Sequence, residues 1–183
     1  IDPNGSPEER FKCVYPVWPP ESEWAGLWES YQKVHPRYRE PRISETRIQC
    51  MYGAVSPDGI NWTNYDDNPI GPSSDTSHYV VKDPATGKYR VYGRFAPKGG
   101  RVIGCMSSDN FVNWGDRLLV LDPDEHEVAG PESDTQFYGM SVGLYEGMYL
   151  GGVWIYRPGS DGCIDTQLAA SRDGLAWERV GNR

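Results

Sequence analysis

Short apolar runs, each closed by the same polar corner, recur along this chain of 183 residues. The runs span residues 51–55, 102–106 and 164–170. Each leads into Ser-x-Asp, then Gly or Asn, then a Trp four or five residues after the Asp: Ser56 to Trp62, Ser107 to Trp114 and Ser171 to Trp177. In such a corner the Asp bonds backbone N–H groups, Gly or Asn accepts a positive φ, and the Trp starts the returning strand. The pattern therefore predicts three β-hairpins.

A longer repeat surrounds the second and third corners. Both units contain Asp-Thr, an apolar strand, a Gly-bearing turn, a Tyr-rich strand, a loop, a second apolar strand, the corner and a Trp strand. Four antiparallel strands in this order form one blade of a β-propeller. The first copy lacks its inner strand, because the turn at residues 2–5 and the strand at 11–15 align with the turn at 83–87 and the strand after it.

The repeat predicts an all-β fold of about three propeller blades in one partial domain, 1–183. The blades are expected at approximately 1–70, 71–125 and 126–183. Propellers close with about four to eight blades. We therefore expect either a fragment of a longer protein, which we favour, or a ring completed by another copy, such as six blades from two copies. Open blade edges also favour self-association.

One segment, approximately residues 20–40, does not follow the blade pattern. Its apolar positions recur at i, i+3, i+4 and i+7: Trp24, Leu27, Trp28 and Tyr31. This spacing places them on one face of a helix, and Ser22 and Pro36 suit its start and its end. We predict one inserted helix over roughly residues 22–35. It either covers the side of the first blade or forms a lid that brings Trp side chains over a ligand cleft.

Composition narrows the partners. The formal net charge is −8, so there is no basic surplus for a phosphate backbone, and no nucleic-acid partner is predicted. Because no run of 18 apolar residues occurs, no membrane partner is predicted either. The four Cys form no CxxC pair, so we predict no metal site and no cofactor. Cys13 and Cys50 fall in neighbouring predicted strands, where they either pair in an exported protein or stay free.

Candidate chemistry lies where the inner strands begin, since in a propeller these positions converge at one mouth of the channel. Asp75 and Asp134 open equivalent inner strands, and Glu132 lies two residues before Asp134. Clustered carboxylates suit glycoside hydrolysis, in which one protonates the leaving oxygen and another acts as base or nucleophile. We therefore predict these three as catalytic residues. An Asp-Thr pair can equally bond exposed backbone amides and serve the scaffold.

Four further residues are predicted to bind substrate around these carboxylates. His78 and Arg94 are polar residues on or near strands of one blade, where they can bind hydroxyls or be paired structural groups. Tyr79 and Tyr138 supply aromatic walls. Rings with a polar handle are enriched in polar-ligand clefts, and this chain has seven Trp and twelve Tyr against four Phe. The alternative for any one ring is blade packing.

Three stretches resemble a known group of proteins: the pattern from Asp75 to Arg94, the corner from Ser56 to Thr63, and the ending from Gln167 to Trp177. They look like the five-bladed propellers of the arabinanase and β-fructosidase glycosidase superfamily, closest to poorly characterised bacterial members. The resemblance covers nearly the whole chain except the helical insert. A weaker resemblance, to sialidase-type propellers, is carried by the corner from Ser107 to Trp114.

The first resemblance implies three carboxylates at inner-strand starts. They are a base or nucleophile in the first blade, a helper Asp in the next and a Glu acid in the one after. Here the first-blade inner strand is missing, and the matched strands begin with Asp75 and Asp134. Only Glu132 supplies a Glu, two residues out of place.

Two functions follow as expectations. The first is a glycoside hydrolase-like propeller that acts on or binds a glycan through inner-strand carboxylates at the channel mouth. The second is a non-catalytic propeller module that binds carbohydrate or protein, because a fold alone does not decide function. Carbohydrate is the expected partner in the first case.

Overall fold

A computed structural model describes residues 1–27, 29, 49–96, 100–129, 134–159 and 162–181. These residues form three four-stranded antiparallel sheets and very little helix, which confirms the predicted all-β fold of propeller blades. The first sheet comprises β1 (Phe11–Val17), β2 (Cys50–Ser56), β3 (Thr63–Asn64) and β4 (Gly71–Pro72). Strand β2 is its centre and pairs with the other three.

The second and third sheets are simple meanders, in which strand order follows chain order. The second comprises β5 (Tyr79–Lys82), β6 (Tyr89–Phe95), β7 (Val102–Ser108) and β8 (Leu118–Leu121). The third comprises β9 (Gln136–Tyr145), β10 (Met148–Tyr156), β11 (Ile164–Ser171) and β12 (Glu178–Arg179). This is the strand order of a propeller blade.

The first and third corners have the predicted hydrogen bonds. Asp58 Oδ1 accepts the backbone N–H groups of Ile60 and Asn61, each at 2.8 Å. Asp173 Oδ1 accepts those of Leu175 and Ala176, again at 2.8 Å. These backbone N–H groups lower the pKa of both carboxyls, because they stabilise the charged form.

The second corner is built one residue later than the sequence alignment predicted. Asn110, rather than Asp109, accepts the backbone N–H groups of Val112 at 3.1 Å and of Asn113 at 2.8 Å. Asp109 instead lies 3.3 Å from Lys88 Nζ. The predicted role of Asp109 was therefore wrong, since an Asn amide oxygen accepts these bonds as a carboxylate does. With this register, the Trp follows the Asp or Asn by four residues in all three corners.

This register places Phe111 at the position that Gly occupies in the other corners, with φ of 68°. Phe111 is fully buried, and its ring lies edge-on to those of Tyr89 and Trp114 at centroid distances of 5.1 and 5.6 Å. The corner Trp side chains are at least half buried: their exposed fractions are 43%, 3% and 8% for Trp62, Trp114 and Trp177.

The first turn of the chain matches the turn of the second sheet, as its sequence predicted. Asp2 accepts the Asn4 backbone N–H at 3.2 Å, and Asp83 accepts that of Ala85 at 2.9 Å. In both turns a glycine N–H also donates to the Asp carbonyl oxygen, at 3.2 Å for Gly5 and 2.8 Å for Gly87. The two Asp side chains therefore close equivalent turns.

Helix is confined to short pieces in the described part of the chain. Residues 24–27 and 29 are helical, inside the predicted insert. Most of that insert, including Trp28 and Tyr31, lies outside the described residues. A second helix, Glu125–Ala129, was not predicted. Asp124 and Glu127 form its capping box, in which the Asp124 N–H donates to Glu127 Oε2 at 3.0 Å.

The described residues divide into two compact units, each with its own core. The first unit takes its residues from 1–75, 82–90 and 107–116, and Phe111 lies in its core. The second takes them from 76–81, 91–106 and 117–181. Its core is a cluster of buried side chains from the second and third sheets: Tyr92, Ile103, Cys105, Phe137, Met140, Tyr149, Val153, Ile155, Ala169 and Trp177.

None of the four cysteines forms a disulfide within the part of the chain that the structure describes. Cys13 lies opposite Ala54 and Cys50 lies opposite Val17, so the two are not cross-strand neighbours. Burial raises the pKa of Cys50 to about 11. Within the described ranges, no helix has the length and apolar character needed to cross a membrane.

Candidate functional site

The structure describes two of the three predicted carboxylates. Asp75 is exposed, lies between β4 and β5 and belongs to the first compact unit. Asp134 is half-buried, lies in the turn before β9 and belongs to the second unit. Glu132 lies outside the described residues. The catalytic grouping of the three therefore stays a prediction.

The carboxylate of Asp134 has an unusual environment. Neither of its oxygens has a hydrogen bond or an ion pair with any residue that the structure describes. The backbone of Gly159 lies directly against it, because a Cβ at that position would overlap the carboxylate. Capping of local backbone amides, the scaffold role considered for Asp-Thr, is absent for Asp134 within the described ranges.

Asp2, by contrast, is a buried carboxylate whose oxygens accept several hydrogen bonds. It accepts hydrogen bonds from Lys82 Nζ at 2.8 Å, from the Tyr89 hydroxyl and from the Asn4 backbone. Burial opposes its ionisation, but the bonds from Lys82 and Tyr89 outweigh that effect and lower its pKa to about 2. Asp134 lacks such partners among the described residues.

Glu127 is a second example. It is fully buried, and its two carboxylate oxygens lie 2.7 and 2.9 Å from the Arg179 guanidinium nitrogens. Asp124 also pairs with Arg179, at 2.8 Å. This ion-pair cluster ties the short helix to β12, and it satisfies the buried charges inside the second unit.

A cleft of about 330 Å³ opens beside Asp134 within the second unit. Its walls combine polar and apolar side chains. The polar ones are Arg101, Asp122, Asp134, Thr135 and Gln136, and the apolar ones are Val102, Leu119, Pro123 and Val128. Thr135 is buried, and its hydroxyl has no hydrogen-bond partner in the described part of the chain. The cleft thus has the apolar surface and the few polar groups typical of small-ligand sites.

Arg101 is held in the wall of this cleft by its neighbours. Its Nη1 donates to Gln136 Oε1, and its guanidinium carbon lies 5.4 Å from the centre of the Tyr138 ring. Its backbone oxygen accepts the Phe137 N–H at 3.0 Å, which fixes the strand start beside it. Its Nε is buried and has no hydrogen-bond partner in the described part of the chain.

Two predicted substrate-binding residues contact each other. The guanidinium carbon of Arg94, a buried residue of β6, lies 4.4 Å from the centre of the Tyr138 ring in β9. Tyr156 meets the same ring edge-on at 5.6 Å. Tyr138 therefore packs against two arginines and a tyrosine, and one of these arginines, Arg101, lines the cleft.

His78 and Tyr79 lie at the start of β5, in the second unit. Both ring nitrogens of His78 are buried without a hydrogen bond to the described residues, and the ring lies against Gly93. Burial, aided by the charge of Arg117, lowers the pKa of His78 to about 4, so the ring is neutral at pH 7. The Tyr79 ring lies edge-on to Trp154, with 6.3 Å between centroids.

Arg101 and Asp122 were not among the residues predicted from the sequence. In a four-stranded antiparallel meander, the third strand starts and the fourth strand ends at the same end of the sheet at which the first strand starts. Arg101 directly precedes β7, and Asp122 directly follows β8. That rule places both at the end of the second sheet where β5 starts, but their closeness to Asp134 also depends on how the second and third sheets meet. Among the described residues, no three His, Cys, Asp or Glu side chains converge as metal ligands would.

No protein-family model and no curated protein matches the chain. Solved structures do match. An N-acetylgalactosamine deacetylase from F. plautii, in complex with blood group B trisaccharide, aligns with a TM-score of 0.55 and 17% identity over 73% of this chain and 44% of its own. Fructan 1-exohydrolase IIa from Cichorium intybus, in complex with 1-kestose, aligns with a TM-score of 0.53 and 19% identity. The alignment covers 74% of this chain and 26% of the exohydrolase.

A β-fructofuranosidase from Bombyx mori aligns with a TM-score of 0.51 and 12% identity, over 76% of this chain and 32% of its own length. The chain thus spans less than half the length of each of these proteins. Five-bladed β-propeller glycoside hydrolases are among its structural neighbours. At these identities the likeness shows the fold, and the three sheets of this chain have the fold of part of such a propeller.

Proposed function

We propose that this protein is a glycoside hydrolase-like propeller that binds a glycan at the heads of its inner strands. In this proposal Asp134 is one of its catalytic carboxylates, and Asp75 and Glu132 are the others. Substrate hydroxyls are bound beside them by the side chains predicted for that role, His78, Tyr79, Arg94 and Tyr138.

One observation carries the proposal: the half-buried Asp134 carboxylate faces a cleft and has no partner among the described residues. A carboxylate removed from water is costly unless it is hydrogen-bonded or paired. Such groups in clefts are candidates for function, because a ligand then supplies the missing partner. Asp2 and Glu127, whose oxygens are engaged by neighbouring side chains, have no oxygen left for that purpose.

The chemistry follows from what a glycosidic bond needs. One carboxylic acid gives its proton to the leaving oxygen, while a second carboxylate activates water or attacks the sugar carbon. A pair about 5–5.5 Å apart retains the configuration at that carbon, and a pair about 6.5–9.5 Å apart inverts it. Asp134, whose carboxylate oxygens have no partner among the described residues, suits the base or nucleophile role.

The named complexes among the structural neighbours support a glycan as the ligand. One of those proteins holds blood group B trisaccharide and another holds 1-kestose. Both are carbohydrate-active, and this chain has the fold of part of each. We therefore propose a glycan for this protein as well.

Hydrolysis assays of the complete gene product on arabinan, fructan and aryl-glycosides test the proposal. Replacing a carboxylate that takes part in proton transfer should lower the rate by about 10²–10⁴-fold. We expect a loss of that size for Asp134→Asn and for Asp75→Asn. Asp165→Asn is the matched control, because Asp165 is exposed and pairs with Arg157 at 2.8 Å.

Equal rates for the wild type and Asp134→Asn would end the proposed catalytic role. If the wild type hydrolyses none of these substrates but binds a glycan that Asp134→Asn fails to bind, the protein is the non-catalytic binding module instead.

A further inference from the structure

We infer that the cleft beside Asp134 is a subsite for one neutral sugar residue, and that it discriminates against acidic sugars. The inference rests on the proposed function only in taking the ligand to be a glycan. It adds the class of sugar and assigns a specificity-determining role to Arg101 and Asp122.

The size of the cleft sets the size of the ligand. Small-ligand sites have volumes of about 300–1,000 Å³, and this cleft, at about 330 Å³, lies at the small end of that range. It therefore suits a single ring rather than an oligosaccharide. Further rings of a glycan would extend away from it into solvent.

The polar groups of the cleft match a pair of neighbouring hydroxyls. The guanidinium of Arg101 donates only; it lines the cleft, and its Nη1 is anchored by Gln136. The carboxylates of Asp122 and Asp134 accept only. A sugar hydroxyl both donates and accepts, so adjacent hydroxyls can bridge a guanidinium and a carboxylate.

The charge of the cleft argues against an acidic sugar. Among the described residues that line it, one guanidinium accompanies two carboxylates, so their formal charges sum to −1. The whole chain carries −8. A uronate would bring a further negative charge beside Asp122 and Asp134, and like charges in a partly desolvated site repel each other. A neutral sugar meets no such penalty.

The apolar part of the wall completes the match. Leu119 and Val128 are 49% and 55% exposed, although both are large apolar residues. Sugar rings carry C–H groups on their faces. The two side chains therefore offer a surface on which a ring can lie while its hydroxyls reach the polar groups.

Saturation-transfer difference NMR on the complete gene product tests the inference, since it detects weak binding of small ligands. The probes are the methyl glycosides of arabinose, fructose, galactose and mannose, together with methyl galacturonide and methyl glucuronide. A charge-assisted hydrogen bond contributes about 10- to 100-fold in affinity. We expect at least one neutral glycoside to bind, and Arg101→Gln and Asp122→Asn each to weaken that binding at least tenfold.

The matched control is Arg172→Gln, which removes the same charge from an exposed position outside this cleft. It should leave the affinity for the neutral glycoside within twofold of the wild type. Asp122→Asn should also narrow the difference in affinity between neutral and acidic glycosides, because it removes one repelling carboxylate.

Three results would overturn the inference: none of the neutral glycosides binds, a uronide binds at least as tightly as its neutral counterpart, or Arg101→Gln binds as the wild type does. The failure of the proposed catalytic function has a different signature. In that case hydrolysis is absent, while neutral glycosides still bind in a manner that depends on Arg101.

Discussion

The left-handed backbone of the second corner predicts that glycine is more stabilising than alanine at position 111, the reverse of their order at ordinary positions. Phe111 has φ of 68° and is fully buried against Tyr89 and Trp114. Truncating a buried Phe to Ala costs about 3–5 kcal/mol in the free energy of unfolding. Phe111→Ala keeps the left-handed backbone of an L-residue, whereas Phe111→Gly removes that strain. At such a position Gly is favoured over Ala by about 1 kcal/mol.

The matched control is the neighbouring Val112, whose φ is not positive. There, Gly should be less stable than Ala by about 0.5–1 kcal/mol, because Gly loses more backbone entropy on folding. The two glycine–alanine pairs should therefore differ in sign. Urea denaturation followed by fluorescence would measure all four variants, and a 1 kcal/mol difference corresponds to about 2–4 °C in Tm for a chain of this size.

The contrary result is a Phe111→Gly variant that is less stable than Phe111→Ala by the margin found at position 112. That result would mean that residue 111 does not hold the left-handed position of the corner. The alignment predicted from the sequence, in which Asp109 accepts the backbone N–H groups of the corner, would then be correct.

Three further results are expected. Burial lowers the pKa of His78 to about 4, so between about pH 6.5 and pH 4 this histidine binds a proton in the unfolded chain but not in the folded one. The free energy of unfolding should therefore fall by about 3 kcal/mol as the pH drops from about 6.5 to 4. In urea titrations, His78→Phe should reduce this dependence on pH. Glu127→Ala removes the fully buried partner of Arg179, which keeps Asp124, and should cost about 1.5–3 kcal/mol. Asp165→Ala breaks an exposed pair and should cost at most about 1 kcal/mol in the same assay. Because the pKa of Asp2 is lowered to about 2, its carboxylate contributes about 2 kcal/mol to the free energy of unfolding, and this contribution is lost as the pH falls from 4 to 2. Asp2→Asn should remove this dependence on acid pH.

The sequence predicted the blades because their signals are local. Ser171, Asp173 and the glycine after them form a corner within four residues, so their spacing alone indicates the turn. The same reasoning misplaced the second corner, since Ser and Asp at 107 and 109 fit the pattern as well as Ser108 and Asn110 do. Only the hydrogen bonds of Asn110 decide between them.

The candidate site was predicted in part, for a physical reason. Asp134 was identified because it opens a strand, which is a property of the chain. Arg101 was missed because its relation to Asp134 depends on how two sheets of one unit meet. The helix Glu125–Ala129 is too short to show a hydrophobic period, although its capping box, Asp124 and Glu127, is visible in the sequence.

The central claim is that the cleft beside Asp134 holds a glycan. A crystal structure of the complete gene product with a neutral oligosaccharide tests this claim most directly. We expect a sugar ring in the cleft, with one hydroxyl within about 3 Å of the Asp134 carboxylate and another bonded to Arg101. A sugar bound elsewhere, with the Asp134 carboxylate bonded to protein groups or left untouched, would contradict the claim.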